Sequence, residues 1–148
     1  MVDELHRLFE AVDAPNDLEF QTWLSLRDLT VGHGPDLVIE LGRGYGNSTV
    51  VFTDAARSRR KLQVVSIGYD EPSAWVTRTR PKLEQLVEAG WFDPLTVLQQ
   101  HILETDFAAI LQGHKRVLLF WDAHGDEVAD AILTRLVLTL PAGSWSRS

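Results

Sequence analysis

The chain has 148 residues, 45% of them hydrophobic, enough for one domain with a buried core. A formal net charge of −7 provides no concentrated positive field, so neither nucleic acid nor an anionic membrane is expected as the main partner. With no cysteine the chain has no disulfide, thiolate metal site or cysteine nucleophile and suits a reducing cytoplasm; its acidic start lacks an export signal, and no apolar run approaches the ~20 residues of a membrane span.

Leu5, Leu8, Phe9 and Val12 fall at helical spacing and predict an amphipathic first helix ending near Pro15. Asn16 as a cap, with Glu19 three residues on, predicts a second helix carrying Phe20, Trp23 and Leu24 as its apolar stripe. Residues 1–33 therefore read as a helical arm and residues 34–148 as the main domain. From Gly34-Pro35 onward, short apolar runs alternate with helical stretches. Leu37 to Leu41 is the first strand, followed by a glycine turn and a helix from about Asn47 to Arg57. Leu62 to Ile67 is the second strand, and Pro81 and Gly90 bracket a helix around Leu83, Leu86 and Val87. Leu95 to Leu98 is a third strand, Thr105 caps a helix stopping near Gly113, and Arg116 to Trp121 is the fourth strand. A last helix from about Asp126 to Leu138 places Val128, Ile132 and Leu136 on one face. Strands alternating with helices predict an α/β three-layer sandwich around a mainly parallel, doubly wound sheet. Ligands of such folds bind beyond the carboxyl ends of the strands, here just after Leu41, Ile67, Leu98 and Trp121.

The stretch Glu40-Leu41-Gly42-Arg43-Gly44-Tyr45-Gly46-Asn47-Ser48 follows a strand and opens a helix. Glycine permits positive φ and close approach of backbone to ligand, and the amides and Ser48 hydroxyl at the helix start are donors for a carboxylate. The spacing is G-x-G-x-G; a dinucleotide fingerprint places glycine where Asn47 stands, so an NAD-binding Rossmann site is the weaker reading. The chain here resembles class I S-adenosylmethionine-dependent methyltransferases, whose first motif is an acidic residue followed by x-G-x-G-x-G. Glu40, Gly42, Gly44 and Gly46 match it, and the element order of residues 36–143 follows the N-terminal portion of that Rossmann-like fold. The resemblance implies S-adenosylmethionine as cofactor, its methionine part held by the loop with Asn47 and Ser48, and its amino end fixed by Glu40.

Two places depart from that pattern. The acidic residue that usually meets the ribose at the end of the second strand is replaced by Gly68, with Asp70 as the nearest substitute, and Gln100-His101 stands where an aspartate usually approaches adenine. After the fourth strand, Trp121-Asp122-Ala123-His124-Gly125 resembles the acceptor-facing turn of small-molecule O-methyltransferases. It implies methylation of an oxygen on a small-molecule acceptor, with His124 as general base and Asp122 positioning it or holding Mg²⁺. A complete domain of this kind has seven strands. The sequence instead reads as incomplete after the fourth strand and its helix, which predicts an exposed sheet edge covered by a second copy or a partner chain, or else a non-catalytic subunit.

Overall fold

The computed structural model describes residues 2–13, 18–59, 61–69, 74–121, 129–130, 132, 136–142 and 144–147. Five parallel strands form one sheet in the order β3-β2-β1-β4-β5: β1 Leu37–Leu41, β2 Gln63–Gly68, β3 Leu95–Gln99, β4 Val117–Trp121 and β5 Trp145–Arg147. All five residues of β1 are buried, as a central strand covered on both faces requires. In register, Glu40 lies beside Ser66 of β2 and Phe120 of β4.

The expected open edge on β4 is not found. Leu118, Leu119 and Phe120 pair with Trp145, Ser146 and Arg147, so the segment after the Leu140-Pro141 turn forms a short fifth strand instead of leaving β4 unpaired. Three residues suffice because Ser144 anchors the entry, its Oγ accepting from the Val117 amide at 2.9 Å.

Side-chain alternation divides the core. Val38, Val64 and Leu118 face α1 (Val2–Val12), α2 (Phe20–His33) and α3 (Asn47–Arg57), and pack with Leu5, Leu8, Trp23, Val51 and Phe52. Leu37, Ile39, Leu41, Ile67, Val117 and Leu119 face the other way, onto Ile102, Phe107, Ile132 and Leu136. The arm predicted over residues 1–33 thus packs into the main core, through α1 and Trp23.

Several helix boundaries differ from expectation for local reasons. The second helix begins at Phe20 with Glu19 as its cap residue, so Asn16, which lies outside the described residues, is too far upstream to cap it. The helix expected between Pro81 and Gly90 starts earlier, as a π-helical turn Trp75–Thr79 that runs into α4 (Arg80–Glu84), and Gly90 belongs to the turn that follows. Asp106, not Thr105, caps α5 (Phe107–Leu111), its carboxylate accepting from the Ala109 amide at 3.1 Å; the Thr105 hydroxyl turns back to the His101 carbonyl. Most of the last predicted helix lies outside the described residues, but Ile132 and Leu136 are buried as expected, and Val137–Thr139 forms a 3-10 turn.

Candidate functional site

The glycine bend leaves β1 at the carboxyl rim of the sheet. The Gly42 amide continues the ladder by donating to the Ile67 carbonyl at 2.9 Å, and the Gly46 amide closes a turn onto the Arg43 carbonyl at 2.9 Å. Gly46 sits at φ +95 as the residue capping α3, and a Cβ there would run into the Trp75 ring, so no other residue fits. Gly44, at φ +53, has nothing within 4 Å of where its Cβ would stand. One side of the bend is therefore sealed by Trp75, while its apex is open.

Beneath the bend lies a polar cluster inside the sheet. Glu40 is fully buried; Ser48 donates to one carboxylate oxygen, and Thr49 and Ser66 donate to the other, Ser66 at 2.5 Å. Burial pushes the Glu40 carboxyl above its ordinary value, opposed by the three hydroxyl donors and the nearby Arg43 guanidinium. Arg43, itself buried, spans the tips of three strands: it donates to the Ser66 carbonyl at 2.9 Å, the Ser66 hydroxyl at 3.3 Å and Gln99 Oε1 at 3.0 Å. The cluster ties the start of α3 and the ends of β1, β2 and β3 to one carboxylate. It fixes the shape of the bend from behind.

This arrangement explains the glycine at the tip of β2. A Cβ on Gly68 would stand 3.0 Å from the Arg43 Nη2 and 3.3 Å from its Cβ, so the direction in which a ribose-binding carboxylate would project is filled by Arg43. Next to it Tyr69, 63% exposed, meets His101 edge-to-face at 5.2 Å, and the His101 Nδ1 accepts from the Leu103 amide at 3.1 Å. An aromatic corner thus stands at the tips of β2 and β3.

Of the residues singled out from sequence, Glu40, Gly42, Gly44, Gly46, Asn47 and Ser48 come together at this rim. The Ser48 hydroxyl faces inward to Glu40, and Asn47 Oδ1 accepts from Trp23 Nε1 at 3.1 Å. Asp70, Asp122 and His124 lie outside the described residues; Trp121, at the end of β4, is paired with Leu41. Among the described residues no group of three His, Asp or Glu side chains is placed to hold a metal ion, and no helix is long and apolar enough to cross a membrane. Sequence reasoning missed Arg43, Thr49 and Ser66. The available signal was Ser66, a hydroxyl between the apolar Val64, Val65 and Ile67 and in register with Glu40.

No protein-family model matches the sequence, and no curated protein matches it. Solved structures do. The S-adenosylhomocysteine-bound methyltransferase PaMTH1 of Podospora anserina superposes with a TM-score of 0.71 at 18% identity, over 96% of this chain and 59% of that one. The O-methyltransferase TomG of Streptomyces achromogenes, in complex with S-adenosylmethionine, gives 0.64 at 15% identity over 95% and 60%. The Bacillus cereus O-methyltransferase, in complex with S-adenosylhomocysteine, gives 0.64 at 18% over 94% and 61%. The chain spans about three fifths of the length of each of these. It therefore has the Rossmann-like methyltransferase fold, and over most of its length it is structurally similar to S-adenosylmethionine-dependent O-methyltransferases.

Proposed function

We propose that this chain binds S-adenosylmethionine across the carboxyl rim of the sheet and takes part in transferring its methyl group to an oxygen of a small-molecule acceptor. The observation that carries the reading is the glycine bend, fixed from below by the Glu40 cluster and open at Gly44. Main-chain amides of such a bend at a helix start are donors for a carboxylate. Tyr69 and His101 offer an aromatic face to a purine at the neighbouring strand tips. When bound, the cofactor supplies an activated methyl group; the chain's own work is alignment and removal of the acceptor proton. His124 is the proposed base, and Asp122 orients it or a divalent cation such as Mg²⁺.

Calorimetry with S-adenosylhomocysteine tests the first half: saturable binding supports it, and no heat up to millimolar ligand sinks it. Release of S-adenosylhomocysteine from S-adenosylmethionine in the presence of small hydroxylated acceptors tests the second. A His124→Ala chain that turns over at the parent rate removes the base assignment. One observation favours a second reading, a methyltransferase fold without catalysis: Arg43 fills the direction of the ribose carboxylate at Gly68. Binding without turnover across the acceptor panel supports that reading over the first.

A further inference from the structure

The bend alternates glycines with larger side chains. Gly42, Gly44 and Gly46 stand at φ +95, +53 and +95, so every second residue carries the widest conformational freedom a chain has. Held in one shape, such a segment gives up more entropy than a run of other residues, and whatever is not fixed beforehand must be ordered by the ligand at a cost in affinity. The residues between the glycines therefore decide how ready the bend is. Arg43 is anchored inward, on Ser66 and Gln99. Tyr45, partly buried against the core, is held from outside.

The outer hold comes from the π-helical turn Trp75–Thr79, a helix type that recurs at functional sites. Its first residue, Trp75, lies against Gly46, and on the same turn Arg78 carries its guanidinium 5.2 Å from the centre of the Tyr45 ring. That guanidinium also donates to the Asp13 main-chain carbonyl, just past the end of α1, at 2.9 Å, with the Asp13 carboxylate 4.0 Å away. Arg78 is thus tied to a point outside the bend and does not simply follow the Tyr45 ring. With 36% of its side chain exposed, the contact is of the solvated kind, worth about a three- to fivefold change in an equilibrium.

On the cofactor reading above, on which this role rests, we propose that Arg78 is a positioning residue for the bend: stacked on Tyr45 and tied to Asp13, it holds the segment around Gly44 in its binding shape before the ligand arrives. Arg78 touches no ligand in this role and acts through Tyr45.

Calorimetry with S-adenosylhomocysteine, run beside urea unfolding, tests it. Arg78→Met keeps the stem of the side chain and removes its charge; it should weaken binding about three- to fivefold while the urea midpoint stays near the parent's. Arg78→Lys restores a cation and a donor and should recover most of the affinity. Tyr45→Phe keeps the ring and should bind like the parent. Tyr45→Leu should lose as much as Arg78→Met, and combining those two should add nothing further. Amide hydrogen exchange at Gly44 and Tyr45, measured without ligand, should quicken in Arg78→Met. Parental affinity or unchanged exchange in Arg78→Met, lysine no better than methionine, or additive losses in the double variant, the mark of action through Asp13 instead of Tyr45, overturns the proposal while the cofactor reading stands. A loss of affinity matched by a loss of stability overturns it as well, since a merely structural contact behaves that way. A parent chain that binds no S-adenosylhomocysteine overturns the cofactor reading and this role together.

Discussion

The two faces of the sheet are built on different rules. Toward α5 and the chain's C-terminal part, Leu37, Ile39, Leu41, Ile67, Val117 and Leu119 form an apolar layer. Toward α1, α2 and α3, β4 stays apolar with Leu118 and Phe120, but β1 and β2 are apolar only at their amino halves, Val38 and Val64, and then turn polar with Glu40 and Ser66, β2 ending in Gly68. Burying a carboxylate costs several kcal/mol unless it is hydrogen-bonded, so the second face admits one only where Ser48, Thr49 and Ser66 surround it. The comparison separates two duties: one face supplies cohesion, and the other holds a bend in a shape that cohesion alone does not specify.

The comparison breaks most visibly at the bend. Gly46→Val combines a collision with Trp75 and a β-branched residue at φ +95, and is expected to destabilise the fold by about 4 kcal/mol in urea. Gly44→Ala, at φ +53 with open space around it, costs about 1 kcal/mol and leaves a folded chain with weakened S-adenosylhomocysteine binding. Equal losses for the two would mean that Trp75 does not seal the bend. On the apolar face, Leu119→Ala removes a fully buried side chain and costs about 3 kcal/mol. Ligand affinity of the fraction still folded should not change, since that face does not shape the bend; a matching loss of affinity would erase the distinction between the faces.

Much of the apolar face was legible in the sequence, because a strand buried on both sides announces itself as an apolar run and a register follows from alternation. The strand ends Leu41 and Trp121 fall where the runs stop. The polar face was half legible. Glu40 and the glycines stand out by spacing, but Arg43 occupies a position between glycines that looks solvent-facing, and only the tertiary closeness of Gly68 and Gln99 buries it. The short strand β5 escaped notice for a related reason: Trp145, Ser146 and Arg147 have no apolar alternation of their own, and pairing with the strong β4 holds them. Likewise Thr105 and Asp106 are adjacent capping types, and only the observed bond from the Ala109 amide to the Asp106 carboxylate shows which of the two serves α5.

Glu40 separates the faces by pH as well. Its carboxyl is raised above the ordinary value near 4.5, with burial as the main cause, so between that value and its native one the folded chain holds a proton that the unfolded chain has lost. The unfolding free energy must then fall as pH rises through that window, the contribution being complete below about 4.5 and lost once the native group ionises. Glu40→Gln cannot titrate. In urea titrations from pH 4 to pH 8, the stability of the parent relative to Glu40→Gln is therefore expected to decline with pH. A gap that is flat, or that grows in favour of the parent, would show that the three hydroxyls and Arg43 outweigh burial.

The smallest expected effect belongs to the apolar face and marks how little of its stability is polar. Asp106 caps α5 through the Ala109 amide at 3.1 Å, and that five-residue helix is otherwise held by burial of Phe107 against the layer below. Asp106→Ala should cost about 1 kcal/mol, and Asp106→Asn a few tenths at most, since asparagine accepts the same bond. Thr105→Ala, whose hydroxyl bonds the His101 carbonyl and Gln100 rather than the helix, should leave the unfolding of α5 unchanged. Hydrogen exchange at Ala109 and Ile110 reads the difference directly: faster exchange in Asp106→Ala but not in Thr105→Ala is the expected pattern. The reverse pattern would move the cap to Thr105 and make α5 depend on the strand-tip turn next to His101, tying the apolar face to the ligand rim.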